Sequence, residues 1–189
     1  MVRIPALGYA LLGLIQQKPA SGYDLRKIFS STSMKYYSDS PGAIYPALGR
    51  LKQQGLVRGT IEEGSGLRRR QVFHLTARGA SELKKWIVQP IAPDQLARGS
   101  QEIMLRFAFS ENAAGLTASL ELLKSLQAAL KTHIASLGNE YEASHNFMPT
   151  SARLAFESGL EGTKHLLEWT ESAIAICEKE ARKKKGSVS

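Results

Sequence analysis

A run of small, aromatic and hydrogen-bonding residues begins at Ser40 and ends near Gly55. Ser40 is a favourable helix N-cap and Pro41 a favourable first helical residue, so we expect a helix to begin here. Helical periodicity places the apolar residues on one side: Ile44, Ala47, Leu48 and Leu51. The opposite face is small and carries two long hydrogen-bonding side chains: Gly42, Ala43, Pro46, Gly49, Arg50 and Gln53. Such a face lets a helix backbone approach a nucleic-acid groove, where Arg50 and Gln53 can reach bases or phosphates.

Tyr45 and a following basic segment extend this surface. Tyr45 lies at the edge between the two helix faces, where its ring can pack while its hydroxyl donates to a phosphate. Residues 56–62 and 70–76 have the β-branched and aromatic content of two short strands. Between them, glycines together with Arg68 and Arg69 form a cationic tip, which is suited to a minor groove or to the phosphates beside it.

Further helices are expected to position this surface. Helical spacing of leucines predicts a first helix over residues 5–17, and Ser21 can cap a second helix with Asp24 in its first turn. The polar residues 30–39 are predicted to form a loop. Gly55 is expected to end the third helix, and Thr76 to cap a fourth.

Residues 12–86 resemble the DNA-binding domain of the PadR family of bacterial transcriptional regulators. The motifs that carry the resemblance are Gly22-Tyr23-Asp24-Leu25, Gly42-Ala43-Ile44-Tyr45-Pro46-Ala47-Leu48, Leu51, Gly55-Leu56-Val57 and Leu75-Thr76-Ala77-Arg78-Gly79. The resemblance implies a winged helix-turn-helix domain in which the third helix is the recognition helix. It also implies that Tyr45 is part of the DNA-binding surface.

Trp86 has two interpretations. An aromatic residue at helical spacing is usually a packing anchor, which is the favoured one. The resemblance offers the other, because some related regulators use aromatic side chains to hold flat ligands, so Trp86 is also a candidate for a pocket that binds an effector.

The positive charge is concentrated in the first half of the chain. The net charge is +8, and residues 1–90 contain 14 Lys and Arg against 5 Asp and Glu, whereas residues 91–189 contain 11 against 12. A basic domain joined to a neutral one is expected when the first binds a polyanion and the second has another task. Charge by itself also fits a surface that merely keeps the protein soluble.

The composition excludes several classes of protein. With 43% hydrophobic and 22% charged residues the chain is expected to be globular, and it contains no apolar run long enough to span a membrane. Cys177 is the single cysteine, so an internal disulfide is excluded. Together with the missing signal-peptide pattern, these features predict a cytoplasmic protein without membrane association.

The second half of the chain carries a heptad seam. Its members alternate in steps of four and three residues: Leu116, Leu120, Leu123, Gln127, Leu130, Ile134, Leu137 and Tyr141. Gln127 is the only polar member, and one polar residue in a seam fixes register and strand number. We therefore expect the seam to specify a homodimer.

A second long helix is predicted near residues 151–185, folded back on the first by a turn around 146–149. Its apolar surface is too wide for one neighbour, so we assign part of it to another subunit: Leu160, Leu167, Trp169 and Ile174. The pattern Phe156-Glu157-Ser158-Gly159 followed by Leu166-Leu167-Glu168-Trp169 is similar to the C-terminal domain of the longer PadR subgroup, which includes virulence regulators.

Nothing in the sequence predicts catalysis. The four histidines lack the spacing of a metal site, and no nucleophile motif is present. We therefore expect a protein that is not an enzyme and that needs neither a metal nor a cofactor.

The sequence thus predicts a mainly α fold with a small β-hairpin. Residues 1–90 should form a winged helix-turn-helix DNA-binding domain, and residues 91–189 a helical dimerisation or regulatory domain with long, coiled-coil-like helices. The expected function is sequence-specific binding of a homodimer to an inverted-repeat operator in double-stranded DNA. The resemblance favours repression and a hydrophobic or phenolic small-molecule effector, although the longer subgroup also includes activators. The alternative is a winged-helix adaptor that binds proteins without reading DNA.

Overall fold

The computed structural model describes residues 4–38, 40–63, 69–97 and 99–186. The chain divides into two compact units, Met1–Ile87 and Val88–Ser189. The fold is mainly helical with a small antiparallel sheet in the first unit, as the sequence predicts. Among the described residues, no helix combines the length and the apolar character that crossing a membrane requires.

The N-terminal unit has the order of a winged helix-turn-helix domain. Its elements are α1 (Ala6–Gln17), β1 (Ala20–Ser21), α2 (Gly22–Ser31), a 3-10 helix (Ser33–Tyr36), α3 (Pro41–Gln53), β2 (Val57–Glu63), β3 (Arg69–Leu75) and α4 (Ala77–Ile87). The sheet has the order β1-β3-β2, with Ala20 opposite Phe73 and Val57 opposite Leu75. The predicted helices and hairpin strands are present.

Two features of this unit differ from the prediction. Strand β1 has only two residues, so its sequence carries no alternation that could reveal it. The predicted loop contains the 3-10 helix Ser33–Tyr36, because the Thr32 hydroxyl accepts a hydrogen bond from the backbone N–H of Met34 and so caps it.

Local hydrogen bonds fix the ends of the helices. The Ser21 hydroxyl accepts from the backbone N–H of Asp24, and the Asp24 carboxylate accepts from the backbone N–H of Ser21, which completes a capping box on α2. Thr76 caps α4 by accepting from the N–H of Gly79. Gly55 follows α3 with φ of +68°, the left-handed conformation expected after a helix.

The core of the N-terminal unit joins the helices to the hairpin. Its fully buried side chains include Leu11, Leu12, Ile15, Leu25, Phe29, Ile44, Leu48, Leu83 and Ile87. Trp86 is 6% exposed and stacks on Tyr9 with the ring centroids 4.2 Å apart. In this unit Trp86 therefore packs against α1.

The C-terminal unit is built on a long helical hairpin. Its elements are α5 (Pro93–Leu96), α6 (Gln101–Ala114), α7 (Leu116–Ser144), a 3-10 helix (His145–Phe147) and α8 (Thr150–Gly186). The two predicted long helices and the turn between them are confirmed. Apolar residues from before α5, from α6 and from α7 form its buried centre: Ile91, Ile103, Leu122, Leu126, Ala129 and Leu130.

Helix α6 has no counterpart in the sequence prediction. It buries Arg106 and Ser110, two polar residues that interrupt its apolar stripe. The Arg106 guanidinium donates to the carbonyl oxygen of Gln89, and its burial lowers the pKa of that side chain. A helix that buries polar residues does not show the periodicity by which helices are recognised in a sequence.

Polar contacts join α7 and α8 along their length. Gln127 Nε2 donates to Glu171 Oε1 at 3.0 Å, and the Tyr141 hydroxyl donates to Glu157. Lys124 lies 3.2 Å from Glu178. Pairing of early α7 residues with late α8 residues shows that the two helices are antiparallel.

Candidate nucleic-acid interface

Helix α3 separates a buried face from an exposed one. Ile44, Ala47, Leu48 and Leu51 are at most 5% exposed. Of the predicted outward residues, Ala43 is half-buried and the others are exposed: Gly42, Pro46, Gly49, Arg50 and Gln53. The predicted division of this helix is confirmed, whereas the role of its outer face in DNA binding remains a prediction.

The N-terminus of α3 is formed as the sequence predicts. The Ser40 hydroxyl accepts from the backbone N–H of Gly42 at 3.2 Å, and the Ser40 carbonyl accepts from the N–H groups of Ala43 and Ile44. This end carries the positive pole of the helix dipole, which favours a phosphate. Pro46 has no N–H, so it cannot donate the usual helix hydrogen bond to the Gly42 carbonyl.

Exposed tyrosines lie on α3 and on the start of α2. Tyr45 is 48% exposed, and its ring lies against Gly22 at the start of α2. Tyr23 is 60% exposed, and the Arg26 guanidinium lies 5.6 Å from the centre of its ring. Tyr23 and Arg26 are absent from the predicted DNA-binding set, although Tyr23 is part of a motif that carries the family resemblance. An exposed tyrosine with a hydroxyl and an arginine beside it can both reach a phosphate.

The arginines of the hairpin have different surroundings. Arg69 is exposed at the start of β3, opposite Glu63, and Arg68 lies outside the described residues. Arg70 has one nitrogen 3.8 Å from Asp24 Oδ2 and another 3.8 Å from Glu62 Oε2. Two carboxylates therefore contact Arg70 near the loop end of the hairpin, and Arg69 is the described arginine of this run that stays available to DNA.

Asp24 connects β3 of the hairpin to the start of α2. The hydrogen bond from the Ser21 hydroxyl holds the pKa of the Asp24 carboxyl below its ordinary value; the backbone N–H of Ser21, Arg70 and Lys18 add to that effect, and desolvation opposes it. The carboxylate is consequently charged at neutral pH. It links β3 to α2 through Arg70.

The predicted dimerisation residues differ in exposure. Leu123 and Leu130 are at most 1% exposed and pack inside their own unit. The half-buried members are Leu116, Leu120, Gln127, Ile134, Leu137, Leu160, Leu167 and Ile174. Trp169 is 41% exposed and has its ring edge-on to Phe107 at 5.7 Å. Ile176, which the sequence assignment omitted, is 64% exposed on the same helix seven residues further on.

The described residues provide no metal centre. No group of three or more His, Cys, Asp or Glu side chains in that part of the chain could hold an ion. His74 instead lies in β3 with Nε2 2.9 Å from the Thr60 hydroxyl oxygen across the hairpin.

The arrangement of helices, hairpin and exposed α3 face defines the first unit as a winged helix-turn-helix domain. Residues 11–85 match the family model "Transcriptional regulator PadR-like family". Residues 11–85 therefore form a PadR-like domain, and the chain is similar to transcriptional regulators that carry this domain. Its 189 residues and long C-terminal helices fit the longer subgroup of that family.

Several known proteins are similar to this chain. "Negative transcriptional regulator PadR" of Bacillus subtilis (strain 168) is 29% identical over 92% of this chain and 98% of its own length. "Probable transcriptional regulator Rv1176c" of Mycobacterium tuberculosis is 28% identical over 50% of each chain. The crystal structure of Bacillus subtilis PadR in complex with operator DNA shares 25% identity, with a TM-score of 0.44 over 92% of this chain and 99% of that one.

Proposed function

We propose that this protein represses transcription by binding as a homodimer to an inverted-repeat operator. The observation that carries the proposal is the outer face of α3, which combines exposed Gly42, Gly49, Arg50 and Gln53 with a fully packed inner face. A rigidly held helix with a small outer surface can enter a major groove. The name of the Bacillus subtilis relative, a negative regulator, supports repression.

We assign recognition of the DNA bases to α3. Arg50 can donate two hydrogen bonds to a guanine, and Gln53 can pair with an adenine. The wing arginines Arg68 and Arg69 contact phosphates or a minor groove, and these contacts contribute affinity rather than sequence preference. Tyr45 and the N-terminus of α3 hold the helix against the backbone of the same half-site.

Dimerisation is assigned to the C-terminal unit. Trp169 and Ile176 present exposed apolar surface on one stripe of α8, and burial of such surface stabilises association. A two-fold dimer would place two α3 helices in successive major grooves about 34 Å apart. An effector that changes this separation would release the operator, which is how we include a hydrophobic or phenolic small molecule in the proposal.

The test is a binding measurement with DNA selected by the protein itself. Genomic fragments retained by the purified chain are sequenced, and fluorescence anisotropy then measures affinity for the selected site and for a scrambled duplex at several salt concentrations. The logarithm of the binding constant should fall with the logarithm of salt concentration, with a slope of about −0.9 for each phosphate neutralised.

Variants separate the assigned roles. Arg69→Ala should weaken binding to both duplexes alike and reduce the salt slope by about one. Arg50→Ala should reduce the binding free energy for the selected site by about 1–3 kcal/mol and relax the sequence preference of the protein. Lys164→Ala on α8 is the matched control, since Lys164 pairs with Glu161 on the surface of the other unit. Binding that does not depend on salt would instead favour the protein-interaction adaptor.

A further inference from the structure

One face of the hairpin β2–β3 continues from the core to the surface. Near the base of the hairpin, Val57 and Phe73 lie on this face and are buried. Ile61 and Gln71 form a directly opposite pair closer to the loop end. They lie on the same face, because side chains alternate along a strand and each is an even number of residues from a buried one. Ile61 is 64% exposed and Gln71 is also exposed, so the face presents an apolar side chain and an amide side by side.

Gly59 provides the space that the Gln71 side chain occupies. It lies diagonally across the hairpin from Gln71, and a Cβ at position 59 would stand 2.6 Å from Gln71 Nε2 and 3.0 Å from its Cδ. The amide therefore lies over the glycine backbone. No described residue forms a hydrogen bond with this amide, so its two N–H donors are available to another molecule.

Arg69 adds a positive charge to the same face. It precedes Gln71 by two residues in β3, is exposed and forms no ion pair with a described side chain. Arg70 points to the opposite face, where it contacts Asp24 and Glu62. The face that carries Gln71 therefore combines an unpaired cation with an unpaired amide.

The exposed side chains of this face match the minor groove of A·T base pairs. That groove presents only the acceptors adenine N3 and thymine O2, whereas a G·C pair adds the amino group of guanine. The Gln71 amide can donate to such an acceptor, and Ile61 can pack against a groove into which no amino group projects. A·T runs also narrow the groove and strengthen the negative potential that attracts Arg69.

We propose that Gln71 and Ile61 recognise A·T base pairs in the minor groove beside each α3 contact, which makes Gln71 a specificity-determining residue. The proposal rests on the proposed function, because α3 must occupy the neighbouring major groove. It goes beyond that function by giving the hairpin a sequence preference of its own. Gly59 is a positioning residue, since it acts through the placement of the Gln71 amide.

Inosine distinguishes recognition in the two grooves. An I·C pair lacks the guanine amino group, so its minor groove resembles that of A·T while its major groove resembles that of G·C. Each A·T pair of the selected site is replaced in turn by G·C and by I·C, and anisotropy measures the affinity of the full chain for every duplex. In each half-site we expect a position at which G·C weakens binding about tenfold and I·C stays within about twofold of A·T.

Variants assign this preference to the hairpin face. Gln71→Ala should bind the A·T and G·C duplexes with affinities within about twofold of each other, because the amide donor is gone. Gly59→Ala should also reduce the preference, since its methyl group displaces an amide that is still present. Ile61→Ser should reduce it through the loss of apolar contact. Arg58→Ala is the matched control: Arg58 is exposed on the opposite face of the same hairpin, so its loss should leave the ratio of the two affinities unchanged.

The outcomes separate this proposal from the function on which it rests. Equal weakening by G·C and I·C at every position would place all recognition in the major groove and overturn the proposal. An unchanged preference in Gln71→Ala would also overturn it, and in both cases the proposed function would stand. If the chain binds the selected and scrambled duplexes alike, or binds neither, the proposed function itself fails and the assignment of Gln71 fails with it.

Discussion

The phenol ring of Tyr45 lies against the Cα of Gly22, so that a Cβ at position 22 would stand 2.5 Å from Cε1 of that ring. Gly22 is the first residue of α2, and Tyr45 lies in the second turn of α3. The missing side chain at position 22 therefore determines where the exposed tyrosine hydroxyl is held. Gly22 and Tyr45 belong to two different motif segments and are 23 positions apart in the sequence, yet they are in contact in the fold.

Gly22→Ala should displace Tyr45 from this position. We expect operator affinity to fall about tenfold, equivalent to about 1.4 kcal/mol. The free energy of unfolding should change by less, because alanine is a better helix former than glycine and an exposed ring can move. Anisotropy and urea denaturation measure the two effects. Gly138→Ala, at a helical glycine with open space around it, is the control; unaltered operator affinity in Gly22→Ala would contradict the assignment of Tyr45.

Gly79→Ala should destabilise the N-terminal unit. A Cβ at Gly79 would overlap the backbone carbonyl oxygen of Leu56, and backbone cannot move aside as a flexible side chain can. We expect a loss of about 1–3 kcal/mol in the free energy of unfolding, measured by urea denaturation. Gly138→Ala is again the comparison and should be neutral or slightly stabilising. Equal stability of the two variants would show that α4 does not pack this closely on the hairpin.

Stability should depend on pH through Asp24. Its pKa is lowered in the folded protein, first by the Ser21 hydroxyl at 2.7 Å. A lowered carboxyl pKa contributes stability above the unfolded value of about 3.9, and this contribution is lost as the pH falls through the folded value. Asp24→Asn should therefore lower the free energy of unfolding at pH 7, by less than about 1 kcal/mol because the carboxylate is 44% exposed and solvent screens it, and the difference from the parent should shrink below about pH 4.

Denaturation at a series of pH values measures this dependence. Glu161→Gln is the control, because Glu161 also has a lowered pKa but pairs with Lys164 on an exposed helix surface. Its change in stability should be much smaller, since surface pairs contribute little. A constant difference between Asp24→Asn and the parent from pH 7 to pH 3 would rule out the carboxylate as the cause.

Substitutions of the two buried serines in the C-terminal unit should have non-additive effects on the free energy of unfolding. Ser110 and Ser119 are at most 2% exposed, and their hydroxyl oxygens are 2.6 Å apart between α6 and α7. Each hydroxyl also has a backbone carbonyl partner, so either serine-to-alanine change should cost about 1 kcal/mol. The loss of unfolding free energy in the double variant should be smaller than the sum of the two single losses by about 0.5–1 kcal/mol. Additive unfolding free energies would show that the two hydroxyls do not interact.

Ile176→Glu should dissociate the proposed dimer. Ile176 is 64% exposed on α8, and a glutamate there places charge within the apolar surface assigned to the partner subunit. Sedimentation velocity at micromolar concentration should show a dimer for the parent and a monomer for the variant. Leu154→Ser changes another exposed apolar residue of α8 and should leave the dimer intact. A monomeric parent would remove the basis for a two-fold operator.

Several features could be predicted because they depend on neighbouring residues. The caps at Ser21, Ser40 and Thr76 require only a hydroxyl a few positions before a backbone N–H. The two faces of α3 follow from helical periodicity. The missed elements lack such signals: β1 is two residues long, and α6 buries Arg106 and Ser110 among its apolar residues.

Contacts between distant segments could not be predicted from spacing. The heptad seam of α7 is regular in the sequence, but the same spacing serves a second subunit or a second helix of the same chain. In the structure Leu123 and Leu130 are buried within their own unit, and Gln127 donates to Glu171 of α8. The large apolar side chains that stay exposed on α8 are Leu154, Trp169 and Ile176.

The sequence by itself determined the two faces and the capped start of α3, the two hairpin strands and the resemblance of the first unit to the PadR family, because each depends on residues that are close together along the chain. Only the tertiary structure decided that two carboxylates contact Arg70 and that Tyr45 rests on Gly22. These relationships join elements that meet only when the core closes. The packing of the whole unit decides which elements come into contact, and the spacing of residues within one element does not predict those contacts.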